Sequence, residues 1–118
     1  MPTETQFTEG QLVALCAAAD VEPDTPVRVV LDNVAYAVFS LNGQFYATQD
    51  HCTHGPGSLA EGIVMGIEIE CPFHQGRFDI RTGCATAAPC TQALRTWTVH
   101  ASGGQLFIDP AEHRVVQE

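Results

Sequence analysis

Two short elements restrict this chain more than any other feature: Cys52-Thr53-His54 and Cys71-Pro72-Phe73-His74, separated by 16 residues. Each sets a sulfur close to an imidazole, and each is flanked by Gly and Pro. Together they offer four metal ligands, soft sulfur and borderline nitrogen in equal number, a set that both zinc and an iron–sulfur cluster accept. A zinc finger usually pairs Cys with Cys in one element and His with His on a helix. Here each element supplies one of each, and neither reads as helical. That mixing suits a dinuclear cluster, with the two Cys on one iron and the two His on the other. The segments His54-Gly55-Pro56-Gly57 and His74-Gln75-Gly76 fit the same chemistry. Bridging sulfides accept backbone N–H groups, and Gly lets the backbone come close.

Around these elements the chain reads as sheet. Val27–Leu31 and Val34–Leu41 are apolar runs joined by Asp32-Asn33, and Asn42-Gly43 leads into Gln44–Thr48, so the first half predicts an antiparallel meander. Residues 7–19 (FTEGQLVALCAAA) fit either a helical stripe or a buried strand. From Asp50 to Pro89 Gly and Pro become dense, with short strands expected at Ile67–Glu70 and Arg77–Ile80. Leu94–His100, a Ser102-Gly103-Gly104 turn and Gln105–Asp109 then return to sheet. The expectation is an all-β single domain over 1–118. Its scaffold covers about 7–49 and 90–110, and a loop-rich, cluster-binding insertion covers about 50–89.

Five basic residues, all Arg, stand against 14 acidic ones, for a net charge of −9. Such a chain repels phosphate backbones and anionic membranes, so no nucleic-acid or membrane partner is expected. A partner with a basic patch suits it, although an acidic surface equally serves solubility. No stretch reaches the roughly 18 apolar residues of a membrane helix, and MPTETQFTEG has no basic or apolar leader, so a cytoplasmic location is expected. Five cysteines in a reducing compartment argue against a disulfide framework.

The pair CTHGPGSL and CPFHQGRFD, with its spacing, resembles the Rieske signature, C-x-H followed by C-x-x-H. The stretch RTGCATAAPC resembles the part of that family that carries a proline-bearing loop over the cluster, and the similarity runs from about Gln11 to Asp109. The nearest branch is the ferredoxin component of bacterial aromatic ring-hydroxylating dioxygenases. The resemblance implies a Rieske-like antiparallel β-sandwich with a small inserted subdomain and one 2Fe–2S cluster. Cys52 and Cys71 would ligate the inner iron, and His54 and His74 the outer iron, at an exposed tip where electrons enter and leave. In the cytochrome-complex branch each cluster loop has a further Cys, and the two form a disulfide; Gly57 and Phe73 stand there in this chain. A Ser and a Tyr of that branch, whose hydroxyls bond to sulfur, are matched here by Gly76 and Phe78. Hydrogen bonds to sulfur favour the reduced state, so their loss implies a potential near the low end of the Rieske range, about −150 mV.

The implied function is a one-electron carrier with no catalytic residue of its own, not an enzyme. It would take electrons from an NAD(P)H-dependent flavin reductase and pass them to a terminal oxygenase, most simply as a monomer. No G-x-G-x-x-G is present to bind a nicotinamide or flavin, and no second domain to activate oxygen is expected. A Rieske subunit of another redox enzyme, such as a nitrite reductase, is the alternative; a zinc-stabilised binding module is a third. Among the remaining candidates, His51 is expected beside the site without ligating, and His100 and His113 on the surface. Cys84 and Cys90 are expected as free thiols near the third loop, with Cys16, Trp97 and Phe107 in the core. Glu61, Glu68, Glu70 and Asp79 read as solvated acids that could also form a docking face.

Overall fold

Tight turns and apolar alternation organise the chain. The computed structural model describes residues 11–53, 55–73, 75–88 and 90–116. Its strands, in chain order, are β1 (Val13–Ala17), β2 (Val27–Leu31), β3 (Val34–Leu41), β4 (Gln44–Gln49), β5 (Ile63–Met65), β6 (Glu68–Glu70), β7 (Arg77–Asp79), β8 (Ala85–Ala87), β9 (Arg95–Trp97), β10 (His100–Ser102), β11 (Gln105–Ile108) and β12 (Arg114–Val115). They form three antiparallel sheets, ordered β1-β11-β10, β12-β9-β4-β3-β2 and β5-β6-β7-β8. Among the described residues helix is confined to short 3-10 turns, Ala18–Asp20 and Leu59–Glu61 among them.

The meander expected for the first half is present. Asp32-Asn33 and Asn42-Gly43 turn with φ of 50°, 67°, 51° and 81°, the left-handed pairs that match strand twist in two-residue hairpins. They fix the registers Leu31↔Val34 and Leu41↔Gln44. The almost unbroken apolar run of β3 has a physical reason: both faces of this strand are covered. Ala37, Phe39 and Leu41 enter a core with Leu59, Ile69, Phe78, Ile80 and Leu94. Tyr36 and Val38, one step out of phase, enter a second core with Leu15, Trp97, Leu106 and Ile108. The five-stranded sheet is thus the middle layer between the three-stranded sheet and the four-stranded one.

Of the two readings of residues 7–19, strand holds: Val13–Ala17 pairs with β11, with a bulge between Ala14 and Cys16, and residues 7–10 lie outside the described residues. Two expectations need correction. The single strand expected over Leu94–His100 is two: β9 joins β4 and β12, while β10 joins β11 in another sheet, so Thr98-Val99 carries the chain between layers. Phe107 and Cys16 are half-buried rather than core, because alternation gives the inward places to Leu106, Ile108 and Leu15. Trp97 is buried as expected, with Tyr36 edge-on at 4.8 Å and its indole N–H donated to the Pro110 carbonyl at 3.0 Å.

Candidate metal centre

The two cysteine elements are hairpin tips closed in the same way. The Cys52 N–H donates to the Gly57 carbonyl at 3.1 Å, and the Cys71 N–H to the Gly76 carbonyl at 2.8 Å, each reaching a glycine five residues on. Below the first tip His51 bridges to Ser58; below the second, Glu70 pairs with Arg77 in the β6–β7 ladder. In the second tip Gln75 N–H also returns to the Cys71 carbonyl at 3.2 Å, and Gln75 adopts φ 62°, a left-handed backbone uncommon for a residue with a Cβ. His54 and His74 belong to these tips by sequence but lie outside the described residues, as does Pro89 of the third loop.

Both sulfur-bearing side chains face inward. Cys52 is 1% exposed and Cys71 fully buried, in the same core as Phe78, Leu94 and Cys90. The backbone beside them is bare for a steric reason. A Cβ on Gly57 would stand 3.3 Å from the Cys71 sulfur and 3.0 Å from the Phe73 ring, and a Cβ on Gly76 would overlap the Cys90 sulfur. Phe73 itself is 67% exposed and lays one ring edge over Gly57, so the two tips touch where the cytochrome-complex branch carries its disulfide. Burial pushes the Cys90 thiol up to about 12, with Cys52 and Cys71 alongside adding to the shift and Cys52 within hydrogen-bonding reach of it.

The base of the first tip is anchored by Asp50, a residue that motif spacing does not single out. It is 3% exposed; its Oδ1 accepts the Ala60 N–H at 2.9 Å and its Oδ2 accepts Arg28 Nε at 3.1 Å. Its backbone carbonyl accepts Leu59 N–H at 2.8 Å. Thr53 Oγ1 donates to the Gln92 carbonyl at 2.8 Å, which ties the first tip to the third loop. Cys90 is the other residue whose place sequence did not disclose: its spacing from Cys84 says nothing of which sulfur it faces.

The other histidine candidates are at the surface. His51 is exposed, as are His100 and His113, the last 6.1 Å from the Trp97 ring. Cys84 and Cys90 are free thiols, Cys84 donating to the Val116 carbonyl at 3.2 Å. The acidic face is thinned by pairing. Arg77 lies 3.7 Å from Glu68 and 3.6 Å from Glu70, and Arg81 lies 3.0 Å from Asp79. Burial opposes ionisation of Asp79, yet the Arg81 hydrogen bonds and charge outweigh it and hold that carboxyl below its ordinary value. Among the described residues no helix is long and apolar enough to cross a membrane.

Fold and site together define a layered β-sandwich that presents two cysteine-bearing hairpins side by side. Comparison with known proteins gives that class a family. Residues 11–98 match the family model for the Rieske [2Fe-2S] domain, and the chain belongs to that family. It is 50% identical over 106 residues to the ferredoxin component of the p-cumate 2,3-dioxygenase system of Pseudomonas putida, covering 88% of this chain and 90% of that one. Among solved structures it resembles the Sphingomonas yanoikuyae B1 ferredoxin with TM-score 0.80 and 41% identity, over 82% of this chain and 96% of the other. A complex of reduced oxygenase and oxidized ferredoxin in carbazole 1,9a-dioxygenase matches with TM-score 0.82 and 39% identity, over 90% and 98% of the chains.

Proposed function

We propose that this chain carries single electrons to the terminal oxygenase of an aromatic ring-hydroxylating dioxygenase system, receiving them from an NAD(P)H-dependent flavin reductase. The observation that carries the proposal is the convergence of two buried cysteines at the ends of identically closed hairpins. The family supports the cofactor, and the high identity to a dioxygenase ferredoxin component supports the partners. Cys52 and Cys71 would hold one iron of a single 2Fe–2S cluster and His54 and His74 the other, with residues 50–89 acting as the cluster-binding unit. The donor set fits: inward sulfurs from two loops, with the bare backbone of Gly57 lying close to the Cys71 sulfur. When bound, the group supplies one reversible electron at a potential above that of an all-thiolate cluster, since two neutral imidazoles replace two charged thiolates.

The chain's own residues do the rest. The paired closures at Cys52–Gly57 and Cys71–Gly76 hold the sulfurs in fixed directions, and Asp50 fixes the first tip to the middle sheet. The surrounding core excludes water from the sulfur side. The imidazole side would face the partner, and the carrier would act in the cytoplasm as a monomer.

Purified anaerobically, the protein is expected to be red-brown, with about two irons and two sulfides. Its dithionite-reduced EPR signal should have an average g below that of all-cysteine clusters. In a reconstituted system its omission should abolish turnover by the oxygenase. Cys52→Ser, Cys71→Ser, His54→Ala and His74→Ala should each lose the visible spectrum. A colourless protein that retains zinc would overturn the cluster assignment; an oxygenase that turns over equally without it would overturn the partner assignment.

A further inference from the structure

Gln49 spans a gap that the sheet leaves open. Backbone pairing between β4 and β9 ends at Thr48↔Thr96, and beyond it the Gln49 side chain takes over. Its Oε1 accepts the Arg95 N–H at 2.9 Å, and its Nε2 donates to the His51 carbonyl at 2.7 Å. One partner is a donor and the other an acceptor, so a single orientation of the amide serves both. The His51 carbonyl and the Cys52 N–H are the two ends of one planar peptide unit. The Gly57 carbonyl takes that N–H at 3.1 Å, so the unit leading into Cys52 is held on both sides. Just beyond Cys52, Thr53 Oγ1 donates to the Gln92 carbonyl at 2.8 Å. Both ties reach residues 92–95, where Leu94 is fully buried in the core that also holds Cys52. The second tip is held differently: Glu70, just before Cys71, pairs with Ile63 on one side and Arg77 on the other.

We propose that Gln49 is a positioning residue for the cluster: by tying the His51–Cys52 peptide unit to β9, it keeps the Cys52 sulfur in one direction. The inference rests on the ligation proposed above. Rotation of that peptide unit changes ψ of His51 and φ of Cys52 together, and with them the direction in which the Cys52 Cα–Cβ bond leaves the chain. The Gly57 carbonyl belongs to the tip itself and would turn with it, whereas Gln49 ties the unit to a strand outside the tip. Groups that orient a metal ligand from behind tune the metal as well as hold it. In the second tip, β6 is paired on both sides and does this with backbone alone. A side-chain change at position 49 should therefore release the first tip and leave the second in place.

The test compares the cluster-loaded protein with Gln49→Leu, which loses both bonds, and Gln49→Glu, which keeps an oxygen for the Arg95 N–H but, when ionised, has no proton for the His51 carbonyl. Amide hydrogen exchange, read by mass spectrometry on peptides spanning each tip, should be roughly three- to tenfold faster around Cys52 in both variants, as the loss of one ordinary hydrogen bond implies. Exchange around Cys71 should stay at the parent rate. The reduced EPR signal should keep its average g, because the ligands are the same, but broaden in both variants as the Cys52 geometry spreads. Parent exchange or parent linewidths in Gln49→Leu overturn the proposal; faster exchange with parent linewidths would leave Gln49 a structural brace. Should that variant fail to load its cluster, parent linewidths in Gln49→Glu overturn it instead. Broadening in Gln49→Leu alone also overturns it, since the effect would then lie in the Arg95 bond. A parent without a mixed Cys/His cluster signal would mark failure of the ligation itself, before any variant is compared.

Discussion

Replacing Asp50 separates two interactions that meet on one carboxylate. Oδ1 accepts the Ala60 N–H at 2.9 Å, and Oδ2 accepts Arg28 Nε at 3.1 Å. The two differ in burial: the Asp50 side chain is 4% exposed, but that of Arg28 is 53% exposed. A half-solvated ion pair contributes about 0.5–1 kcal/mol. Orphaning a partly buried backbone donor costs about 1–3 kcal/mol, and the Ala60 N–H is such a donor. Asp50→Ala, which removes both acceptors, should therefore cost roughly 2–4 kcal/mol. Asp50→Asn keeps an amide oxygen for Ala60 and gives up only the charge, so it should cost about 1 kcal/mol, as should Arg28→Ala.

Urea unfolding under anaerobic conditions, followed by far-UV circular dichroism with reversibility checked by dilution, measures the difference. With a slope of about 1.5 kcal/mol per M, Asp50→Ala should lower the midpoint by roughly 1.3–2.7 M, and Asp50→Asn by less than about 1 M. Visible absorbance on the same samples should show the Ala variant losing its chromophore earlier than the Asn variant, because Asp50 holds the base of the tip that carries Cys52. Equal midpoints for the Asn and Ala variants would refute the reasoning, since they would place the whole effect in the ion pair with Arg28.

Four further outcomes follow from the same geometry. Gly57→Ala should destabilise by about 1–3 kcal/mol and slow cluster loading, because the new Cβ meets the Phe73 ring at 3.0 Å and the Cys71 sulfur at 3.3 Å; thermal melting and iron content check this. Phe73→Ala should leave the melting temperature within a few degrees of the parent but raise the KM for the ferredoxin in a reconstituted oxygenase assay, because the ring is 67% exposed at the tip. Thr53→Val removes the bond to the Gln92 carbonyl and should cost about 1 kcal/mol in the urea midpoint. Asp79 has a lowered carboxyl pKa in the folded chain, so its contribution is present above the ordinary value of about 3.9 and is lost as pH falls through the folded value. Stability against pH should therefore fall less steeply on the acid side in Asp79→Asn than in the parent.

How much of this was legible in the sequence depended on whether local chemistry decided the outcome. Asp32-Asn33 and Asn42-Gly43 fix their hairpins through the residues that turn, so β2 and β3 appear with the expected bounds and β4 one residue longer. Strands β5, β8 and β12 have only three, three and two residues, too few for alternation to show. The break between β9 and β10 depends on which sheet each half joins, and Val13–Ala17 becomes a strand because β11 lies beside it; both are settled by distant partners. The same division holds at the site. Cys52 and Cys71 announce themselves by spacing. Asp50 looks like any loop acid until Ala60 and Arg28 meet it, and Cys90 like any spare thiol until Gly76 makes room for it.

The anchoring has a consequence for a carrier. An electron moves readily when the ligands need not rearrange, and ligands on isolated loops would rearrange. Here each cysteine is clamped by its own N–H to a glycine carbonyl, and the first clamp is fixed through Asp50 next to β4, in the middle sheet. The second rides on the β6–β7 ladder, whose Ile69 and Phe78 pack into the same core as Phe39 of β3. Motion of one tip relative to the other must therefore disturb a core that β3 shares with both, at the cost of lost packing rather than of a loop rearrangement. The Phe73 ring, 67% exposed, lies at the surface of the second tip, outside the anchored sulfurs. A carrier proposed to meet two partners in turn would need that division: constancy at the electron's site and tolerance at its rim.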